Sequence, residues 1–489
     1  MSRRSLVPFA VLAASAGCGG LLEPSAGSGL RIVAGGSLTD SATAMPVQAL
    51  VAELRDAAGR PRPGVPLQFR SVPPDSAHGL RASVFVSRLT EDQFRSLVTD
   101  TTDARGRAAV RLFLGWTAGT GAVLVTVPGT ALVETVNVVV QPASARRVVL
   151  HPRDTALYAG ASFRLDAAPV DAYGNPREDP VSYVAQTTAA KVNEGLLTAL
   201  TIGRGSIRVQ TGGLTDTAWV SVVPRGTIAA NHVRLSVGDD AAIMISNLDG
   251  SGFGRVTLTD GSCCDRTPAW TAAGTELIFE KGYPYEYLYR VDLTGSVRRF
   301  ITDSQPIAQQ TFAQPSRDGA WVYFSGQPNY QNWALWRVRA DGTGAQQIGP
   351  AVTWYDVDWR PSPSPDGTHL AYVTNRTNSL TIRTLDVANG AVTPLDIAGE
   401  AVRWSPIDPD LLAYIHNGII GLMRPDGTDL RRVSDSSTVY DVVFDWSPDG
   451  KWIVARALGR GVLDLINTTT GVTLPLPFTE QLEQPAWRP

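Results

Sequence analysis

The chain of 489 residues predicts an all-β fold, two β-sandwiches followed by a six-bladed β-propeller. Three observations lead there. Gly and Pro are frequent, 46 and 33 residues, and no long stretch carries the 3.6-residue apolar period of a helix. Residues 30 to 224 read as short alternating strands bounded by turn residues, as sandwiches require. From residue 227 onward a Trp or Pro, a small polar turn and an apolar strand return together with a period of roughly 41 to 48 residues, the spacing of four-stranded blades.

Residues 1 to 18 read as an export signal: Arg3 and Arg4, an apolar stretch from Leu6 to Ala14, then Ser15-Ala16-Gly17-Cys18. The stretch falls far short of the ~18 to 20 residues that span a bilayer. Ala16-Gly17-Cys18 resembles the end of a bacterial lipobox, which implies acylation of Cys18, with a plain secretory signal as the alternative. A small-residue linker follows over residues 19 to 29. Three cysteines exclude a disulfide framework. Cys263 and Cys264 are adjacent, so they form either a strained vicinal ring or two thiols in a loop, and two neighbours alone cannot complete a zinc site.

The first sandwich spans residues 30 to 142, with strand patterns at 47–54, 65–69, 108–114 and 135–140. The run Asp56-Ala57-Ala58-Gly59-Arg60-Pro61-Arg62-Pro63-Gly64-Val65, followed by Thr102-Asp103-Ala104-Arg105-Gly106-Arg107-Ala108, resembles the group 1 bacterial immunoglobulin-like domain of invasin and intimin stalks. Residues 72 to 98 exceed that pattern and are expected to form a decorative hairpin, with a binding loop as the alternative. The second sandwich spans 143 to 224, from Arg147-Val148-Val149-Leu150 to Ala218-Trp219-Val220-Ser221-Val222-Val223. Its Asp171-Ala172-Tyr173-Gly174-Asn175 is similar to the turn of the group 2 bacterial immunoglobulin-like domain. Such sandwiches host many activities, so the resemblances imply fold and an extracytoplasmic setting only.

The propeller spans 227 to 489. Its phrase is clearest at Trp446-Ser447-Pro448-Asp449-Gly450, where Gly takes φ > 0 and Asp bonds its own backbone. In the third blade Pro315 replaces Trp, and in the fourth Trp359 is separated from Ser364-Pro365-Asp366-Gly367 by four extra residues. A second turn signal, of the type Ala340-Asp341-Gly342 and Pro425-Asp426-Gly427, occurs six times. Residues after 227 supply no Trp phrase before Ala242-Ile243-Met244-Ile245, whereas Pro485-Ala486-Trp487 stands alone at the other end. The tail is therefore expected to pair with the segment near Ile228 and close the ring, which removes an open sheet edge. These phrases resemble the TolB-type propeller built from WD40-like repeats, over about 260 residues.

Chemistry is sparse in the sequence. The five histidines, His78, His151, His232, His369 and His416, form no tight metal-ligand pair, and no nucleophile elbow occurs. Net charge is −3 and the arginines are scattered along strands, which excludes a general attraction to nucleic acid. One constellation stands out where inner strands begin: Asp265 and Arg266, Asp356 and Asp358, Glu400 and Arg403, Asp441 and Asp445, and Glu483. If these line the channel mouth, they suit a hard cation such as structural Ca²⁺ or a cationic peptide end. Otherwise they accept turn hydrogen bonds at the rim.

The function expected from this pattern is non-enzymatic. It is a cell-envelope or surface lipoprotein, membrane-bound through its lipid only, whose stalk presents a propeller to an envelope protein, peptide or surface glycan. No cofactor is required. The alternative is a metal-dependent propeller hydrolase or lactonase with an axial Ca²⁺. The aromatic loops Tyr283-Pro284-Tyr285-Glu286-Tyr287 and Pro328-Asn329-Tyr330-Gln331-Asn332-Trp333 suit a binding surface or blade packing equally.

Overall fold

A computed structural model describes residues 29–75, 77, 79–232, 241–258, 264–282, 285–301, 307–327, 332–349, 357–376, 379–478 and 481–489. Cys18, Cys263, His78 and Asp356 lie outside them. Among the described residues every regular element is a strand, and no α-helix occurs. The chain divides into two compact units: residues up to Arg147 together with Ala168–Asp179, and Val148–Ala167 together with Pro180–Pro489.

In the first unit two sheets face each other. One has the order Gly29–Ala34, Leu50–Arg55, Arg107–Leu114, Val84–Arg88, and the other Leu38–Ser41, Val133–Gln141, Gly119–Thr126, Pro66–Ser71, Leu97–Thr101. Alternation explains the packing: Val136, Val138 and Val140 are buried while Asn137 and Val139 are exposed. The stretch 72–98 is more than a decoration. It supplies Val84–Arg88, whose Val84 and Val86 are buried in the core, as a full edge strand. On the outer face of this sheet, between the core residues Ala52 and Leu54, Glu53 is covered by arginines and 1 % exposed; burial opposes its charge, but Arg55 and Arg31 hold its carboxyl down to about 2.

The turn at Asp171 falls in this unit. Its carboxylate accepts the N–H groups of Tyr173 and Asn175 at 2.8 and 2.9 Å and that of Ala143 at 2.9 Å. The Asn175 amide in turn bonds the backbone at Trp116 and Ala118, 2.7 and 2.8 Å away. A short polar turn so fully engaged by the first sandwich stays with it.

The second unit opens with a four-stranded sheet, Asp154–Tyr158, Leu214–Val223, Gly203–Thr211 and Ser182–Gln186, and a three-stranded one, Ser162–Arg164, Leu196–Ala199 and Ala190–Asn193. These strands share apolar and polar contacts with the propeller: Ala156 and Val223 pack in one cluster with Ile228 and Trp487, and the Tyr158 hydroxyl donates to the Gly226 carbonyl at 3.0 Å.

Among the described residues the propeller has six four-stranded sheets. Blades two to six are consecutive in sequence, beginning at Arg266, Gln309, Asp358, Ala401 and Tyr440. Blade one is completed by the tail: Leu482–Trp487 pairs antiparallel with Thr227–His232, with Ile228 opposite Trp487. The six inner strands touch in a closed circuit, since Leu482–Trp487 meets both Arg266–Trp270 and Tyr440–Trp446. Ring closure through the C-terminal strand is thus as the sequence implied.

The recurring turn has a physical basis in the Ser and Asp of the phrase. Ser316, Ser364 and Ser447 each donate to the Asp two residues on and accept, at 2.9 Å, the N–H of the residue that opens the next strand, Trp321, His369 and Trp452. The glycine that follows the Asp sits at φ 70°, 73° and 68°, where a Cβ would be strained. Chain reversal is therefore specified within five residues, without help from the rest of the fold.

Candidate functional site

The inner strands are bent. Each of four carries a bulge in which one residue enters the left-handed region: Thr267 (φ 41°), Phe312 (54°), Arg360 (53°) and Gln484 (49°). Beyond the bulge the register with the second strand is the same in every blade. Trp270, Pro315, Pro363, Trp404, Trp446 and Trp487 occupy one equivalent position, opposite Leu277, Val322, Leu370, Leu412, Ile453 and Ile228. This corrects the reading of the fourth blade. Trp359 pairs with Val373 before the bulge, and Pro363 takes the anchor position, so the blade contains no insertion. Register counts back from the Asp-Gly turn, and by that count Pro363 corresponds to Pro315.

These six anchors wall a funnel at one end of the channel, with a volume of about 340 Å³. Hydrogen bonds between neighbouring blades hold the wall. The Trp270 indole donates to the Ala486 carbonyl at 3.2 Å and the Trp446 indole to the Arg403 carbonyl at 3.3 Å. The Trp404 N–H donates to Ser362 Oγ at 2.8 Å, and the Trp487 N–H to Asp445 Oδ2 at 2.8 Å. Asp445 therefore helps close the ring as well as lining the funnel.

One residue before the anchor, the strands present Ala269, Gln314, Ser362, Arg403, Asp445 and Ala486. Arg403 and Asp445 are the charged members of that ring. Burial pushes the Arg403 pKa down while Asp445 pulls it up; burial pushes Asp445 up while Arg403 and the Trp487 N–H pull it down. The two feel each other, yet neither takes part in an ion pair within 4.0 Å among the described residues.

Beside the funnel, and sharing Arg403 with it, lies a void of about 20 Å³ lined by blades three to six, room for a single water. Arg360 lines that void and feels charges of blades two, five and six, which puts it at the waist of the ring. Its guanidinium lies 4.8 Å from the Phe312 ring centroid and donates to the Glu400 carbonyl. Burial lowers its pKa, opposed by the charges of Asp441, Glu280 and Glu400. Glu280, 4 % exposed, accepts the Phe312 N–H at 2.6 Å; burial nonetheless pushes its carboxyl up to about 7. Neither residue was singled out from the sequence. The signals available were weak: an Arg before Pro361 on an inner strand, and a Glu beside one of only three lysines.

The structure splits the acidic constellation. Arg403 and Asp445 reach the funnel, three or four positions along the inner strands from the others, a separation of roughly 10 Å at strand rise. At the other end each described acid meets a local partner. Asp265 pairs with Lys281 at 3.2 Å, Asp358 with Arg376 at 2.7 Å and Glu483 with Arg456 at 2.6 Å. Arg266 pairs with Glu286 at 3.2 Å. Glu400 accepts the Asn417 N–H at 3.1 Å, and Asp441 accepts the Val442 N–H at 2.7 Å. Among the described residues no three acidic, His or Cys groups converge as metal ligands. Cys264 is disulfide-bonded, while the chain's other two cysteines lie outside the described residues. Of the aromatic loops, Trp333 packs edge-on to Trp359 at 6.4 Å between centroids, whereas Tyr285 is half exposed.

No protein-family model and no curated protein matches the chain. Among solved structures it is similar to TolB from Acinetobacter baumannii, at 16 % identity over 63 % of this chain and 83 % of that one, with a TM-score of 0.45. A putative TolB from Agrobacterium tumefaciens matches at 16 % identity over 54 % of this chain and 92 % of that one, TM-score 0.42. An oligogalacturonate lyase in complex with manganese matches at 16 % identity over 52 % and 73 %, TM-score 0.35. The propeller assignment rests on the strand order and ring closure described above; likenesses of this degree bring no activity with them.

Proposed function

We propose that this chain is a non-catalytic binding protein of the bacterial cell envelope, anchored by lipid at Cys18, whose immunoglobulin-like sandwiches carry a propeller that takes its ligand at the Trp-walled funnel. The ligand is an envelope protein, peptide or glycan. The observation that carries the reading is the funnel: a concavity of about 340 Å³, walled by four indoles and two prolines, with Arg403 and Asp445 among its lining. Apolar walls with a few convergent polar groups are what binding pockets present. Support also comes from the opposite end of the axis, where local cations or backbone N–H groups already engage the acids.

Capture from envelope extract by the full chain tests the proposal, comparing the native protein with Gln314→Trp, which fills the funnel, and with Glu400→Gln at the other end. Loss of capture in the first variant alone, with both melting as the native protein does, is expected. Capture that survives Gln314→Trp would place the site elsewhere. Calcium-dependent turnover of a lactone or phosphoester panel would overturn the non-catalytic reading. For the anchor, Cys18→Ser is expected to move the protein from the detergent phase to the aqueous phase on partitioning.

A further inference from the structure

We propose that the funnel recognises a carboxylate borne on an apolar body, the C-terminal end of a peptide or a small free acid, with Arg403 as the partner of the carboxylate. This rests on the funnel being a binding site and adds the chemistry of what enters it.

Arg403 stands at the boundary between the funnel and the void beside it, lining both. Its guanidinium offers five N–H donors in a planar fork, the geometry that matches a carboxylate bidentately. Among the described residues no side chain accepts a hydrogen bond from it and no ion pair engages it. Arg403 is part-buried, so its guanidinium keeps water that a carboxylate can replace with a charge-assisted bidentate bond in an apolar surround. The one carboxylate side chain among the described lining residues, Asp445, accepts the Trp487 N–H at Oδ2.

The surrounding charge favours an anion. Arg317 also lines the funnel, and Arg360 lies close enough to Arg403 to feel its charge. Asp445 is the one acidic side chain among the described lining residues. The walls then select what carries the carboxylate, because indole and proline faces offer apolar contact and few polar partners.

Isothermal titration of the full chain tests this with four probes: N-acetyl-phenylalanine, its amide, N-acetyl-Ala-Ala-Phe and its amide. Both acids are expected to bind, with each amide about 10- to 100-fold weaker, the worth of a charge-assisted bidentate bond. A tighter tripeptide assigns the site to a chain end, and equal affinity assigns it to a small acid. Arg403→Gln is expected to abolish the difference between acid and amide, and Arg403→Lys, which keeps charge without the fork, to retain part of it. Asp445→Asn preserves an acceptor for the Trp487 N–H and removes the like charge, so it is expected to tighten the acids several-fold. A structural role for Arg403 alone would not produce that opposite sign. Equal binding of acid and amide, no binding of any probe, or undiminished acid affinity in Arg403→Gln would overturn the inference. If extract ligands are still captured in a manner sensitive to Gln314→Trp, the carboxylate preference falls and the binding role stands.

Discussion

The two ends of the propeller axis are built from the same six strands and yet treat charge in opposite ways. Where the inner strands begin, Asp265, Asp358 and Glu483 each face a cation on the second strand, or on the loop that follows it, of their own or the adjoining blade. Where the strands end, Arg403 projects among indoles and prolines with no acceptor among the described residues. The first arrangement spends its charges on holding blades together; the second leaves one available. A ring of acids in a sequence is therefore weak grounds for a cation site until the residues opposite them are known, and an arginine in an apolar wall is the stronger pointer to a ligand.

The largest expected effect concerns the ring that both ends share. Deleting residues 479–489 removes the buried Leu482, Ala486 and Trp487 and leaves Thr227–His232 as an open edge, so cooperative thermal unfolding of the propeller is expected to vanish. A sharp transition near the native midpoint would show that blade one closes without its tail.

Next comes the strand-start end. Asp358 is 1 % exposed and held by two Arg376 nitrogens, at 3.2 and 2.7 Å. Arg376→Ala strands that carboxylate and is expected to cost about 3 to 5 kcal/mol in denaturant unfolding. An effect below about 1 kcal/mol would mean the pair behaves as a surface bridge, and the contrast between the two ends would weaken.

Glu280 at the waist sharpens the comparison through pH. Its carboxyl titrates at about 7 in the folded chain against an ordinary 4.5, so the folded state holds the proton longer. Stability is unaffected below about pH 4, falls as pH rises through that window, and above 7 the penalty is complete, on the order of 3 kcal/mol. Glu280→Gln keeps an acceptor for the Phe312 N–H and is expected to stabilise the protein at pH 8 by about that amount, while matching it at pH 4. Equal midpoints at both pH values would show that the carboxylate is already ionised and compensated by Arg360.

The smallest effect lies in the funnel wall. Trp270→Phe retains apolar bulk but loses the indole bond to Ala486, and a loss of about 1 kcal/mol is expected with no change in blade count by circular dichroism.

Much of the fold was legible because its signals are local. The Ser-x-Asp-Gly turn of three blades is satisfied within itself, the second turn signal allowed six repeats to be counted, and the unpaired Trp487 phrase announced the closing strand. The same locality failed where a side chain substitutes for another: Pro363 carries the anchor role of Trp, and Trp359 drew attention to the wrong place. Val84–Arg88 escaped notice because a five-residue strand inside a long polar stretch has too little alternation to stand out. The site was less legible than the fold for a physical reason. Whether Asp265 or Asp358 is free depends on Lys281 and Arg376, one β-hairpin later, and whether Arg403 is free depends on blades four to six together. Arg360 reaches the waist because a bulge reverses its φ, which no period in the sequence records.

Photo-crosslinking compares the two ends most directly. A benzophenone amino acid placed at Gln314 in the funnel, or at Glu400 at the strand-start end, would be irradiated in envelope extract. A discrete adduct from position 314 and none from position 400 is the outcome expected of a funnel that binds its ligand. An adduct from position 400 alone, or the same adduct from both, would contradict it.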